Sequence, residues 1–171
     1  MNRVRCLAPI TDSQARLLIL GSMPGVASLN AGQYYAHPQN SFWKIMAELF
    51  GFDRQLAYLQ RVEILQIVGI AVWDVIGTCH RQGSADANID QQSLEMNDFQ
   101  RFFDSYPTIQ SVFFNGQQAE TCYQRYVMPS LNIGPLNYRR LPSTSPANAS
   151  QSYLQKLAAW QQVADILTSA N

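Results

Sequence analysis

The chain has 171 residues, of which 47% are hydrophobic and 14% charged, and its 12 basic and 12 acidic side chains cancel. A chain of this length buries roughly 70% of its unfolded surface, so it needs no disulfide or metal staple, and the ordinary apolar share argues against intrinsic disorder. Cys6, Cys79 and Cys122 are too few for a four-thiolate iron–sulfur cluster and contain no CxxC zinc pair, which suits reduced thiols in a cytoplasmic, metal-free protein.

In chain order, Arg16 to Leu20 reads as a buried strand ending at Gly21, followed by the longest loop, Val26 to Ser41. Amphipathic stretches at Phe42–Phe50 and Arg54–Gln66 precede a second apolar strand, Ile67 to Trp73, which ends at Asp74. At seven residues that run is far too short to span a bilayer, and the first eleven residues hold no apolar leader. A helical pattern over Asn97–Tyr106 leads to a third strand, Ser111–Phe114, then a helix over Gln117–Val127 and a more polar fourth strand, Tyr138–Leu141. In Ser152–Thr168, residues Tyr153, Leu157, Trp160, Ala164 and Leu167 recur on one helical face. No repeat or linker divides residues 1–171, so one domain is expected. Strands alternating with helices imply a three-layer α/β/α fold around a central, mainly parallel four-stranded sheet.

Zero net charge hides a segregation along the chain. The span Glu63–Asp104 carries a net −5, whereas Thr121–Ala164 has no acid and a net +4 from Arg125, Arg139, Arg140 and Lys156. A basic stretch of that kind can meet phosphates even in a neutral protein, or be an ordinary solvated surface.

Ligands of open α/β sheets sit beyond the carboxyl ends of the strands, so the four strand exits are the places to look. The first, Gly21-Ser-Met-Pro-Gly25, has two glycines that allow positive φ and a proline that fixes it, a turn able to offer N–H groups to an anion. No Gly-Lys-Ser/Thr follows, and the spacing is not that of a nucleophile elbow. The fourth, Pro142-Ser-Thr-Ser-Pro-Ala-Asn148, is hydroxyl-rich and braced by two prolines beside Arg139 and Arg140, suited to phosphodiester oxygens or to capping the last helix. Asp74 and Asn115 stand at the second and third exits. The loop after the first exit places Tyr34, Tyr35, His37, Phe42 and Trp43 within ten residues, more apolar surface than a connector needs.

Together the Tyr35-Ala-His-Pro-Gln-Asn-Ser-Phe-Trp43 string, the Gly-Ser-Met-Pro-Gly turn and the Pro-Ser-Thr-Ser-Pro-Ala-Asn loop resemble the uracil-DNA glycosylase superfamily. Within it they are similar to the mismatch-specific uracil/thymine enzymes and, more closely, to the hypoxanthine (deoxyinosine) branch. The resemblance runs from about Leu17 to Trp160. It implies a monofunctional glycosylase that hydrolyses the N-glycosidic bond of deaminated bases in DNA, hypoxanthine first and uracil second, without a cofactor. It also implies DNA as the partner of a monomer.

One position departs from the pattern. Mismatch-specific members carry a catalytic Asn where this chain has Met23, and a thioether cannot orient water. The resemblance then moves catalysis to Asn40 of the His-Pro-x-Asn motif, a residue that can equally cap the helix from Phe42. Tyr35 occupies the place of the aromatic that stacks on an extruded base, while Phe42 and Trp43 read as core anchors. Asp74, Asn115 and Met23 border the base; as a carboxylate Asp74 would accept the N1–H of hypoxanthine or the N3–H of uracil and repel adenine. A structural aspartate paired with Arg81 is the other reading of Asp74, and an Asn-Gly turn the other reading of Asn115. Phosphate contacts fall to Gly21, Ser22, Pro24, Gly25, His37, Ser143, Thr144, Ser145, Arg139 and Arg140, with His37 equally suited to a structural role. Ser145, or Pro146 and Ala147, stands at the wedge position. The only lysine near these motifs, Lys44, points to the Phe42 helix, against Schiff-base chemistry. Two rivals stand beside this reading: a lesion-binding module that does not cut, and a small-molecule hydrolase with a Ser22, His37 and Asp74 triad.

Overall fold

The computed structural model describes residues 2–169. In chain order the elements are β1 (Asn2–Arg5), β2 (Leu17–Gly21), α1 (Val26–Ala31), α2 (Phe42–Phe50), α3 (Tyr58–Ile67), β3 (Ile70–Asp74), β4 (Ile76–Arg81), β5 (Glu95–Met96), α4 (Phe99–Ser105), β6 (Ser111–Asn115), α5 (Gln117–Cys122), β7 (Asn137–Leu141) and α6 (Tyr153–Thr168). Four strands form an all-parallel sheet in the order β3-β2-β6-β7, with Leu17 beside Ile70 and Ser111, and Ser111 beside Asn137.

Strand alternation explains why the central strands read as unbroken apolar runs: both faces of the sheet are covered. Leu17, Ile19, Ile70, Val72 and Phe113 pack on one side against Phe42, Ile45, Leu65, Trp160 and Val163 of α2, α3 and α6. Leu18, Leu20, Ala71, Val112 and Phe114 pack on the other against Phe99, Phe102, Ala119 and Cys122 of α4 and α5. The expected layers are present, with an addition. An antiparallel sheet, β1-β4-β5, joins the second layer through Ile76 and Cys79. The chain leaves Asp74 and enters β4 almost at once, so this exit is a strand-to-strand corner and not a loop.

Several boundaries shift for local reasons. The second strand starts at Ile70, not Ile67, because α3 runs on to Ile67 and Gly69 turns the chain at φ 89°. The helix expected from Arg54 starts at Tyr58, since the Asp53 carboxylate accepts the Gln55 N–H and holds a turn there. Asp98 caps α4 by accepting the Arg101 N–H, so that helix begins at Phe99. Past Cys122 the expected Gln117–Val127 helix widens into a π turn, Tyr123–Val127. The long loop after Gly25 contains α1, closed by Gly32 in the left-handed region at φ 62°.

Trp160 locks α6 to the sheet and to the fourth strand exit: it is fully buried and donates its indole N–H to the Pro142 carbonyl at 2.9 Å. Trp160→Ala is expected to lower the unfolding free energy by about 3–5 kcal/mol in urea titration. A loss below about 1 kcal/mol would mean that the loop is held by other contacts.

Candidate active site

The carboxyl ends of the parallel strands open into a cleft of about 420 Å³, within the range of small-ligand sites. Its walls include Gly21 to Gly25, Tyr35, His37, Asn40, Asp74, Asn115 and Ser143 to Ala147, which brings together residues up to 126 positions apart.

At the floor, Gly21 is required by proximity and not by backbone conformation. A Cβ there would lie 2.6 Å from Asp74 Oδ1 and 3.4 Å from the Tyr35 hydroxyl. Neither Gly21 nor Gly25 uses a positive φ, so the conformational reason expected for this turn is replaced by a steric one. The turn's carbonyls point back into the protein: Gly21 O accepts the Val75 N–H, Ser22 O the Ile76 N–H, Pro24 O the Arg81 guanidinium and Gly25 O the Leu29 N–H. Among the described residues, the N–H groups of Ser22, Met23 and Gly25 meet no protein acceptor. Carbonyls held back and amides left free make a surface for an anion.

Tyr35 is the one described non-glycine residue with positive φ, at 55°, a conformation that costs on the order of 1–3 kcal/mol and persists where surrounding contacts impose it. Those contacts are visible. Its ring stacks on fully buried Phe42 at 4.1 Å between centroids and 26° between planes, and Ser28 Oγ accepts the next N–H, that of Ala36. Phe42 and Trp43 are core residues; the Trp43 indole donates to the Tyr34 carbonyl at 2.8 Å.

Two buried polar atoms on this floor have no hydrogen-bond partner among the described residues: the Tyr35 hydroxyl and Asp74 Oδ2. Burial pushes the Asp74 carboxyl up to about 7, the Asp86 charge adds to this, and Arg81 opposes it. Asp74 is therefore not the plainly ionised group that its residue type suggests, and it forms no ion pair with Arg81. Burial and the Asp74 charge push the Tyr35 hydroxyl upward as well, so it stays a neutral phenol.

Asn40 braces the chain just ahead of α2 and lines the cleft. Its carboxamide oxygen accepts the Phe42 N–H at 3.0 Å, while the N-cap position itself is Ser41. A carboxamide oxygen has a second lone pair, and the Nδ2 protons have no partner among the described residues. His37 lies exposed at the rim, its Nδ1 accepting the Gln39 N–H at 3.2 Å.

The family model described as the uracil DNA glycosylase superfamily matches residues 8–165. The chain belongs to that superfamily. Two relatives named hypoxanthine DNA glycosylase are 38% identical over 65% of this chain and 70% of theirs, in Methanosarcina barkeri, and 34% identical over 81% and 84%, in Methanosarcina acetivorans. A solution NMR structure from Methanosarcina acetivorans whose description names uracil DNA glycosylase superposes with a TM-score of 0.81 at 28% identity, covering 98% of this chain and 99% of that one.

Against this superfamily frame, several expected contacts need correction. Ser22 does not offer its hydroxyl proton to a phosphate; it donates to Asp86 at 2.8 Å. Pro24 has no N–H, and its carbonyl is taken by Arg81. Thr144 is buried, with its hydroxyl accepting from Asn115 Nδ2 and its N–H donating to Asn115 Oδ1, both at 2.9 Å, so Thr144 is engaged by Asn115 and not by a phosphate, while Asn115 lines the cleft with one Nδ2 proton to spare. Arg139 and Arg140 lie outside the cleft on opposite faces of the sheet edge. Arg139 donates to Gln162 of α6 at 2.6 Å, and Arg140 pairs with Glu120 of α5 at 3.2 Å. The hydrolase triad is not assembled, since Ser22, His37 and Asp74 each bond elsewhere or nowhere.

Ser143 and Ser145 keep their expected freedom. Each hydroxyl accepts a main-chain N–H two residues on, from Ser145 and Ala147 at 3.2 Å, and leaves its own proton for an outside acceptor. Met23 is buried at the cleft wall. Residues missed in the sequence are Ser28, Ser84 and Asp86, all lining the cleft. Among the described residues no three His, Cys, Asp or Glu side chains converge on a metal site.

Asn115→Ala strands the buried N–H and hydroxyl of Thr144. We expect a stability loss of about 1–3 kcal/mol in urea titration together with weaker DNA binding; unchanged binding would separate this clip from the cleft.

Proposed function

We propose that this chain is a monofunctional DNA glycosylase that releases hypoxanthine, and more slowly uracil, from DNA, acting as a cytoplasmic monomer without a cofactor. The observation that carries this is the pair of unpartnered buried atoms, Tyr35 Oη and Asp74 Oδ2, on the floor of a cleft bounded by an aromatic ring and a free carboxamide. Buried polar atoms left unpaired are costly, and a base edge supplies what they lack. Relatives named hypoxanthine DNA glycosylase support the lesion assignment. No described helix is long and apolar enough to cross a membrane.

In this reading the damaged nucleotide swings out of the duplex, its phosphates resting on the free N–H groups of Ser22, Met23 and Gly25 and the hydroxyls of Ser143 and Ser145. Extrusion costs a few kcal/mol, and one aromatic stack on Tyr35 returns about 1–3 kcal/mol. Asp74 meets the N1–H of hypoxanthine. The C1′–N9 bond then lengthens, positive charge grows on the sugar, and the base departs with the electron pair. Asn40 orients the water that attacks C1′, its second lone pair or Nδ2 protons doing so without early proton abstraction; the proton that this water then sheds goes to solvent, which returns one to the departing base. Products are free hypoxanthine and an abasic sugar.

Asn40→Ala is expected to lower single-turnover release of hypoxanthine on the order of 10²–10⁴-fold with DNA binding retained. Tyr35→Ala should weaken binding to deoxyinosine DNA by about 1–3 kcal/mol and leave binding to undamaged duplex unchanged. Lesion binding without any base release in the wild-type protein would replace the enzyme with a non-cutting lesion binder.

A further inference from the structure

Neighbouring residues of the first strand exit touch two different carboxylates. Gly21 backs onto Asp74, and Ser22 donates its hydroxyl to Asp86 Oδ2 at 2.8 Å; both acids line the same cleft. Asp86 belongs to a short turn, Asp86–Asn88, in the link between β4 and β5. Ser84 of that link accepts the Val26 N–H at 2.9 Å, so the wall carrying Asp86 is tied to the Gly21–Gly25 turn and its flank at two points.

Among the other charged or titratable groups around Asp74, Arg81 is the one that opposes this second acid, and it does so without pairing with it. Tyr34, Tyr35 and Cys6 are all pushed upward by burial and stay neutral. His37 stands at the exposed rim. Arg81 is buried behind the turn, bonded to the Pro24 carbonyl, and forms no ion pair with either acid among the described residues. Two carboxylates and a departing base cannot all carry negative charge in one small cleft.

Resting on the assignment of Asp74 as the residue that meets the base edge, we propose that Asp86 is a positioning residue acting through Asp74: a like-charged wall, held by Ser22, that keeps Asp74 in its carboxylic-acid form. Hypoxanthine and uracil share one edge, an N–H beside a C=O. A neutral carboxyl matches both, accepting the N–H and donating its O–H to the carbonyl, whereas a carboxylate would set oxygen against oxygen. The carbonyl is also where the departing base gathers negative charge, so the O–H bond strengthens as C1′–N9 breaks. The proton stays on Asp74 throughout. This replaces the ionised reader expected from the sequence. Discrimination against adenine then rests on the harder extrusion of a correctly paired base.

The test is the pH dependence of single-turnover hypoxanthine release by the wild-type protein, Asp86→Asn and Asp74→Asn. Asparagine at position 86 still accepts from Ser22 but removes the charge. The wild-type rate should fall as pH rises through the neutral range, and in Asp86→Asn that limb should move to lower pH; in Asp74→Asn release should be slower and should lack the limb, because a carboxamide does not ionise in this range. An unmoved limb in Asp86→Asn, or the same limb persisting in Asp74→Asn, overturns the proposal. Carboxyl ¹³C titration of Asp74 in the free protein reads the same coupling without catalysis and should shift to lower pH in Asp86→Asn and in Ser22→Ala. If the wild-type protein releases no base at any pH, the glycosylase reading fails, while the Asp74 titration still decides whether Asp86 acts on it.

Discussion

Thr144 holds the cleft open. Its four hydrogen bonds, two with Asn115 and two from the N–H and hydroxyl of Ser41 to its carbonyl, join the ends of β6 and β7 to the segment that starts α2. Ser41 follows Asn40, so the same clip that fixes the hydroxyl-rich loop also fixes the carboxamide across from it. Gly116, at φ 96°, lets the chain turn into α5 with its hypothetical Cβ only 3.0 Å from Ser143, which keeps this junction tight. Lys156 of α6 lies beneath, buried and directed at the Ser145 carbonyl at 3.4 Å. Reacting groups must sit within fractions of an ångström of productive geometry, and here that precision comes from residues that do no chemistry themselves.

The second constraint is electrostatic. The net charge is zero, and the local field of the cleft comes mainly from main-chain amides and hydroxyls. Carbonyls of the Gly21–Gly25 turn are tied inward by β4, Arg81 and α1, which leaves the opposite dipole ends facing the cleft. Two arginines of the basic stretch are spent elsewhere, Arg140 on Glu120 and Arg139 on Gln162. The acids Asp74 and Asp86 sit deeper, where a base and not a phosphate would lie. Burial and then the Asp86 charge raise Asp74 toward the neutral form, whereas at Asp86 the Ser22 hydroxyl and Arg81 oppose the effect of burial, so the floor of the cleft offers hydrogen-bonding groups to a base.

The parallel sheet was legible because strands covered on both faces must be apolar at successive positions, as Leu17–Leu20 and Val112–Phe114 are. Helices α2 and α6 were legible from spacing and from their caps, with the Ser152–Gln155 box starting α6 where the pattern does. The small antiparallel sheet was not. Asn2–Arg5 is largely exposed and carries two arginines, and β4 reads Ile-Gly-Thr-Cys-His-Arg, with no sustained period in either. In the site, motifs told which residues gather but not which partners they choose. Ser22 finds Asp86 across 64 residues, and Thr144 finds Asn115 across 29; no local pattern announces either. Asp86 itself sits in an acidic run that looks like plain solvated surface, and only the fold turns it inward.

A cleft that severs the bond between a deaminated purine and its sugar must set the base free. The most direct measurement is the release of free base, identified by chromatography, from otherwise identical duplexes carrying deoxyinosine or deoxyadenosine at one position. Free hypoxanthine and an alkali-labile abasic site are expected in the first duplex, with no adenine from the second. An intact deoxyinosine strand bound tightly by the protein would contradict this.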